Sequence, residues 1–289
     1  MNHQLRILAM EEREEEAVEI RDVWGHNLEA EFGIISNIVD DYPYIAMDTE
    51  FPGVVVQACG GASLEQLGRT GYNYRKMKDN VEILKLIQVG LTFSDAEGNL
   101  PTLGTGRGHV WQFNFREFDP EADPHAHDSV EMLRECGTDF RRNKTEGVSS
   151  DQFYELLVSS GAVLNPDVQW VTFHGSSDFG YLVQGLTGTK RGGEGIGSLP
   201  ETQGEFLKLV KLFFPVFYDV KHVIRACNDI YGGLARVAGD LGVKRAAGNA
   251  HQAGSDSLLT SRVFFKLKAT RPHLLLDHRY AGVLYDLDP

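Results

Sequence analysis

Ile45-Ala-Met-Asp48-Thr-Glu50-Phe51 constrains this chain more than any other stretch. An apolar run feeds two carboxylates separated by one residue. Successive side chains on a strand alternate faces, so Asp48 and Glu50 point the same way, one pleat apart. Two anions held that close at the end of a buried strand repel each other and lose hydration. The arrangement is costly unless a cation or a shared proton compensates. A divalent ion bound through oxygen ligands, Mg²⁺ or Mn²⁺, meets that need. An Asp-x-Glu pair also arises often by chance, and a solvated acid face is then its meaning.

Two further segments narrow the choice. In Val171-Thr-Phe-His-Gly-Ser-Ser-Asp178 a strand reaches Phe173, a glycine permits a turn, and Asp178 opens a helix. An Asp there also serves as a cap or dipole partner. In Ala250-His251-Gln-Ala-Gly254-Ser-Asp256 the histidine and the acid are five residues apart. On one continuous helix that is roughly 140° of rotation, and the two would face apart. With His251 on a loop and Asp256 in the first helical turn, both reach one point.

The rest of the chain reads as α/β. Ile20, Trp24, Leu28, Phe32, Ile35 and Val39 recur at helical steps, which predicts one helix from Ile20 that ends at Asp40, Asp41 and Pro43. Strands are expected over 44–51, 86–93, 109–115, 168–173 and 217–220, with 54–57 as a further extended piece. Residues 58–73 read as a Gly-rich loop, and Asn80 as the cap of a short helix. Helices are expected over 128–136, 150–159, 178–185, 205–213, 221–227, 231–241 and 255–268. Three early strands joined by turns exclude a purely parallel sheet, so the expected architecture is a mixed β-sheet flanked by helices. Residues 1–16, with the run EEREEE, read as an acidic flexible tail, and 17–289 as a single domain. Gly193-Glu-Gly195-Ile-Gly197 follows no strand and reads as linker, not as a dinucleotide loop. His125 and His127 have no clustered partners and read as surface loop.

Charge limits the partners. With 28 basic and 41 acidic residues the net charge is −13. A protein that held nucleic acid by its overall field would carry the opposite sign. Any nucleic acid must therefore be handled locally. Arg75, Lys76 and Lys78 form a compact basic cluster, read as a solvated face or a track for an RNA backbone. Cys59, Cys136 and Cys227 contain no Cys-x-x-Cys and suggest free thiols in a reducing compartment. The chain has no apolar run near the roughly 18–20 residues of a membrane span, and its start lacks the basic, then apolar, pattern of a signal peptide.

In order, the stretches MDTEFPG, LIQVGLTF, WQFNF, FHGSSDFGYL, LFFPVFYDV and HQAGSDSLLT resemble the Caf/Pop-type poly(A) deadenylases. These are DEDD exonucleases of the histidine-bearing form, with an RNase H-like fold, and catalytic subunits of the Ccr–Not complex. The resemblance runs from about Ile20 to about Leu284. It implies a 3′-to-5′ exoribonuclease that shortens poly(A) tails and releases 5′-AMP. It implies that Asp48, Glu50, Asp178 and Asp256 hold two divalent metal ions, Mg²⁺ or Mn²⁺, and that His251 is the general base. Four ionised carboxylates and two divalent cations balance in charge. Such ions, ~4 Å apart, clamp the attacking and leaving oxygens of an in-line displacement. Implied partners are poly(A) RNA and the scaffold and second deadenylase subunits of the Ccr–Not complex, with the chain a monomer within the complex, in cytoplasm and nucleus. Three departures bear on substrate rather than chemistry: Gln57-Ala58 replaces the family's Arg-Pro, Ser177 replaces a tyrosine, and the 58–73 and 190–204 segments are unusual. Two other readings compete: a largely non-catalytic scaffold subunit, and a DNA-directed nuclease of the same broad fold.

Overall fold

The computed structural model describes residues 17–57, 64–188, 198–276 and 280–288. The acidic tail expected over 1–16 lies outside them. Six strands are β1 (Val18–Val23), β2 (Tyr44–Glu50), β3 (Gln88–Ser94), β4 (Gly108–Asn114), β5 (Gln169–Thr172) and β6 (Val216–Asp219). They form one sheet in the order β1-β4-β3-β2-β5-β6. Strands β2, β3 and β4 pair antiparallel, while β1, β5 and β6 join in parallel. The expected mixed sheet is what forms, but a helix over Leu64–Ile83, not a turn, joins β2 to β3.

Helices fill both faces. They are α1 (Leu28–Ile38), α2 (Leu64–Ile83), α3 (His127–Glu135), α4 (Phe140–Glu146), α5 (Ser150–Ser159) and α6 (Ser176–Thr187), followed by α7 (Gln203–Phe213), α8 (Val220–Val223), α9 (Leu234–Asp240), α10 (Ala253–Thr270) and α11 (Pro272–Leu276). Alternation along β2 sorts the layers. Ile45 and Met47 join a core with Phe32 of α1, Phe153 of α5, and Phe179 and Leu182 of α6. Ala46 faces the other way, into a core with Val237 of α9 and Leu259, Val263 and Phe264 of α10. By the same alternation Asp48 and Glu50 lie on the Ala46 face, the one α10 crosses.

Several expectations need correction. The helix predicted from Ile20 begins only at Leu28. Val18–Val23 is a strand, with Ile20 opposite Val110 and Val23 opposite Phe113. Between them Asn27 closes a turn: its Oδ1 accepts from the Trp24 N–H at 2.7 Å and its Nδ2 donates to the Asp22 carbonyl. Residues 64–73 are helical, not loop, with a break at Gly68, where φ is +68°. Residues 54–57 make no ladder. They are tied to α2 by Asn80, whose carboxamide accepts from the N–H of Val55 and Val56 and donates to the Val56 carbonyl. Asn80 is thus a buried clamp inside the helix, not a cap. The short helix α4 was not expected at all. The 221–227 helix is a single α turn that continues as a 3₁₀ turn, Ile224–Ala226.

Candidate active site

The site begins with a missing side chain. Gly90 on β3 pairs with Asp48 on β2. A Cβ at Gly90 would sit 1.9 Å from the Ala253 carbonyl oxygen, so only glycine lets the start of α10 come down onto the sheet. The first N–H groups of α10 have no helical partner and bond to the sheet instead. Gln88 Oε1 accepts from Ala253 at 3.3 Å, and Gln112 Oε1 from Gly254 at 3.1 Å. Two hydroxyl pairs, Thr92–Ser257 at 2.9 Å and Ser94–Ser261 at 3.1 Å, continue the seam. Asp256, in the first turn of α10, is thereby pressed against the end of β2.

His251 precedes this helix on a loop, in the left-handed region at φ +60°. Its backbone N–H donates to Asp256 Oδ2 at 2.8 Å. The loop-then-turn arrangement expected for this pair is therefore the one that forms. Donor atoms of Glu50, His251 and Asp256 all lie within 4.8 Å of one another. Glu50 and Asp256 are buried, while the imidazole is exposed. From the opposite layer α6 delivers Asp178, also buried, whose Oδ1 accepts from the Thr49 hydroxyl at 2.6 Å.

Electrostatics tie the acids together. Burial, then the charges of Glu50, Asp178 and Asp256, push the Asp48 carboxyl well above the usual range, and Arg245 only partly offsets this. Burial, then Asp256 and Asp178, raises Glu50 to about 8. Burial raises Asp178 to about 7 against the opposing Thr49 hydrogen bond. All three groups are short of positive charge at neutral pH. Their hard oxygens suit Mg²⁺ or Mn²⁺, and a divalent cation would relieve both burial and repulsion.

Two residues at the site were invisible to sequence reasoning. Arg245 donates to Asp256 Oδ1 at 2.5 Å and to Ser255 Oγ at 2.6 Å, fixing the acid from outside the helix. Nothing in Lys244-Arg245 marks it. Asp219, at the end of β6, accepts from the N–H groups of His174, Gly175, Lys221 and Tyr285, at 2.8, 3.1, 3.0 and 3.0 Å. It locks the turn that precedes α6 and so aims Asp178. An acid closing a short apolar strand just before a helix was its only signal.

Other candidates fall elsewhere. His174, in the turn before α6, has φ +65°, a side chain 47% exposed, and Nε2 3.1 Å from Asp286 Oδ2. The basic cluster is largely neutralised. Arg75 pairs with Asp79 and Glu201, and Lys78 is buried against Glu82, Glu201 and the Leu199 carbonyl. Lys76 reaches Gln57 Oε1 at 2.9 Å, placing a cation beside the position where the family's arginine is missing. His125 bonds the Asp123 carbonyl, and neither it nor His127 joins a metal-competent cluster among the described residues. Phe51 is half-buried and packs on Tyr181, ring centres 5.2 Å apart.

Comparison with known proteins agrees with this geometry. A family model described as CAF1 family ribonuclease matches residues 23–153. The chain is 49% identical over 274 residues to "Probable CCR4-associated factor 1 homolog 7" of Arabidopsis thaliana, covering 94% of each chain. It is 39% identical over 268 residues to "Poly(A) ribonuclease pop2" of Schizosaccharomyces pombe, covering 93% of this chain and 75% of that one. The solved structure of S. pombe Pop2p in its Mg²⁺ and Mn²⁺ bound form superposes with a TM-score of 0.83 at 39% identity, over 93% of this chain and 99% of that one. The chain matched in the yeast NOT1 MIF4G domain co-crystallized with CAF1 gives 0.72 at 30% identity, over 92% and 96%. E. coli exonuclease I bound to a dA16 oligonucleotide, at 13% identity, 0.52, and 80% and 42% coverage, shares the fold alone. The mixed sheet with flanking helices is the RNase H-like exonuclease architecture.

Proposed function

This chain belongs to the CAF1 family of ribonucleases, and from that membership and the site we propose a metal-dependent 3′-to-5′ exoribonuclease that shortens poly(A) tails and releases 5′-AMP. The single observation that carries the proposal is the convergence of Asp48, Glu50, Asp178 and Asp256, from three distant stretches, at the end of β2. We assign these four as ligands of two divalent ions, Mg²⁺ or Mn²⁺. The bound ions supply the positive charge that stabilises the attacking and leaving oxygens of an in-line displacement at phosphorus.

The chain's own groups do the rest. His251, exposed and beside Glu50 and Asp256, is assigned as general base: a ring nitrogen takes the proton of the attacking water. An O–P bond forms on that side and the P–O3′ bond breaks on the other; the departing O3′ takes a proton from solvent, leaving 5′-AMP and a chain one nucleotide shorter with a free 3′-hydroxyl. The His251–Asp256 backbone hydrogen bond and the Arg245 clamp hold base and acid in register. With those ions bound, a chain of net charge −13 would offer a polyanion local positive charge at this site.

The likeness to yeast CAF1 co-crystallized with the NOT1 MIF4G domain supports membership of a Ccr–Not assembly, in which we place this chain as a monomer beside scaffold and second deadenylase subunits. The free thiols of Cys136 and Cys227 support a reducing compartment, cytoplasm and nucleus. We read 17–289 as one ribonuclease domain. The scaffold-only reading leaves a set of mutually repelling buried acids without a purpose.

A denaturing gel of 5′-labelled RNA ending in adenosines tests the proposal. Wild type shortens the RNA stepwise with Mg²⁺ or Mn²⁺, and EDTA or Asp48→Ala stops it. Continued shortening by Asp48→Ala overturns the ligand assignment, and faster shortening of matched DNA overturns the RNA assignment.

A further inference from the structure

Strand β6 closes one side of the sheet, and its outer edge is covered. Ala281 lies antiparallel to Tyr218, and the Gly282 N–H donates to the Phe217 carbonyl at 2.8 Å. The chain runs on through Leu284 and Leu287, both buried in the core that holds α6. Carboxamides on two helices pin the backbone there. Asn73 of α2 donates to the Asp286 carbonyl at 3.1 Å, and Gln203 of α7 donates to the Leu287 carbonyl. Residues 281–288 thus form a strap that ties the end of β6 to α2 and α7.

The strap and the turn before α6 meet at two residues in the left-handed region, Asp286 at φ +68° and His174 at φ +65°. Residues other than glycine persist there only where the surroundings over-determine them. For His174 those surroundings are Asp219 and the strap. The His174 N–H donates to Asp219 Oδ1 at 2.8 Å, and the Tyr285 N–H donates to Oδ2 of the same carboxylate at 3.0 Å. The His174 ring meets the Tyr285 ring edge to face, centres 4.9 Å apart. Its Nε2 lies 3.1 Å from Asp286 Oδ2. An ionised carboxylate only accepts, so Nε2 carries the proton and donates. Arg69, on α2, stands 3.9 Å from the other oxygen of Asp286.

His174 has little freedom to move without α6. Gly175, the next residue, flanks the start of the helix, and a Cβ there would lie 2.2 Å from Thr172 Oγ1. The turn is therefore packed tightly against β5. Asp178 follows in the first turn of α6. We propose that Asp286 is a positioning residue of the active centre: by holding the His174 ring it fixes the turn from which α6 starts, and with it the placement of Asp178. The inference rests on the ribonuclease reading, because the metal-holding role of Asp178 is what makes its placement matter. Misplacing a group that acts on the transition state lowers kcat and leaves RNA binding alone. The His174–Asp286 pair is partly exposed, and a contact of that kind carries a small factor. Asp286 therefore tunes activity and does not decide whether there is any.

Variants of the full chain test this, each assayed well below its melting temperature in circular dichroism so that loss of folded protein does not enter. Asp286→Gly removes the carboxylate while suiting the left-handed backbone, so the strap keeps its course. On RNA ending in adenosines it is expected to lower kcat about fivefold, the scale of one partly exposed charged contact, with KM unchanged. Calorimetric Mn²⁺ affinity falls by a similar factor. Asp286→Asn keeps an oxygen that accepts from Nε2 and restores most of the wild-type kcat. His174→Asn accepts the same backbone region with a shorter side chain and lowers kcat as Asp286→Gly does. Combining the two lowers it no further, as required if one residue acts through the other. Gln203→Ala loosens the strap from α7 without touching the turn, and its kcat stays at the wild-type level. Unchanged kcat and Mn²⁺ affinity in Asp286→Gly overturn the proposal. So do losses that multiply in the double variant, or an equal loss in Gln203→Ala, which would make the strap a general brace. If wild type binds Mn²⁺ but shortens no RNA, the ribonuclease reading falls by itself, and Mn²⁺ affinity across the same variants still decides whether Asp286 places Asp178.

Discussion

Asp219 and the acids at the end of β2 are neighbours with the same chemistry and opposite treatment. Asp219 is completely buried, yet four backbone N–H groups converge on its two oxygens. They oppose the rise in its pKa that burial causes. Asp178 receives the Thr49 hydroxyl and feels the backbone N–H groups of Asp178 and Thr49, yet its carboxyl is still raised to about 7. Among the described residues no donor reaches the carboxylate of Asp48 or Glu50. A carboxylate ringed by amides is finished: it is part of the scaffold. Carboxylates left to repel one another are waiting for something from solution. The contrast explains why Asp219, although adjacent to Asp178, belongs to the structure rather than to the chemistry.

Swapping an oxygen for an amide at each place breaks the comparison if it is wrong. Asp48→Asn removes several kcal/mol of transition-state stabilisation, which at ~1.4 kcal/mol per tenfold slows shortening by about 10³-fold or more. The same change leaves the metal-free melting temperature level or raises it, because a repulsive charge has gone. Asp219→Asn does the reverse to the fold. Its amide keeps one acceptor oxygen, so backbone N–H groups are stranded at about 1–3 kcal/mol each. At about 2–4 °C per kcal/mol, melting falls by roughly 5–10 °C in circular dichroism. If Asp219→Asn melts as wild type while Asp48→Asn unfolds, the two roles have been exchanged.

His251 sharpens the boundary. Its ring nitrogen is close enough to Glu50 and Asp256 to count as a ligand, while the proposal makes it a base. As a base, His251→Ala lowers kcat by about 10²–10⁴ and leaves the Mn²⁺ dissociation constant within a factor of two or so of wild type. As a ligand, it would weaken Mn²⁺ binding as strongly as it lowers kcat. Calorimetric Mn²⁺ titration beside single-turnover kinetics separates the two.

What could be read from the sequence follows the same division. The three acid segments were legible because each couples an element boundary to a polar residue: a strand end at Asp48 and Glu50, a turn before Asp178, a loop before Asp256. Strands β2, β3 and β4 were legible because each is a short apolar run bounded by polar or glycine-rich stretches, although α2, not a turn, joins β2 to β3. Strand β1 was not. Its apolar residues Ile20 and Val23 also fit a helical step, and its identity comes from β4, some 90 residues away. The roles of Arg245 and Asp219 depend likewise on approaches between distant segments. Gly90 is the subtlest case: inside LIQVGLTF it looks like a weak spot in a strand, while its use is to admit α10. Gly90→Ala forces the backbone at Ala253 to move, costing about 1–3 kcal/mol by overpacking. Activity falls with it, because Asp256 is displaced.

The smallest effect is the most direct test of the unsatisfied acids. In the metal-free protein Glu50 is raised to about 8 and Asp178 to about 7, from unfolded values near 4.5 and 3.8. Between the unfolded and folded values the native state holds protons that the unfolded chain has released. Stability therefore falls as pH rises through this window. The metal-free melting temperature should drop by a few degrees from pH 5 to pH 8 as a result. Mg²⁺ or Mn²⁺ replaces those protons, so its stabilising effect should grow across the same range and be largest at pH 8. Asp219, held by amides rather than by exchangeable charge, contributes no such metal-dependent slope, and the Asp48→Asn variant should show a shallower one. A metal-free melting temperature that climbs steadily from pH 5 to pH 8 would mean that these carboxylates already have their cation, and the distinction between the two acid environments would fail.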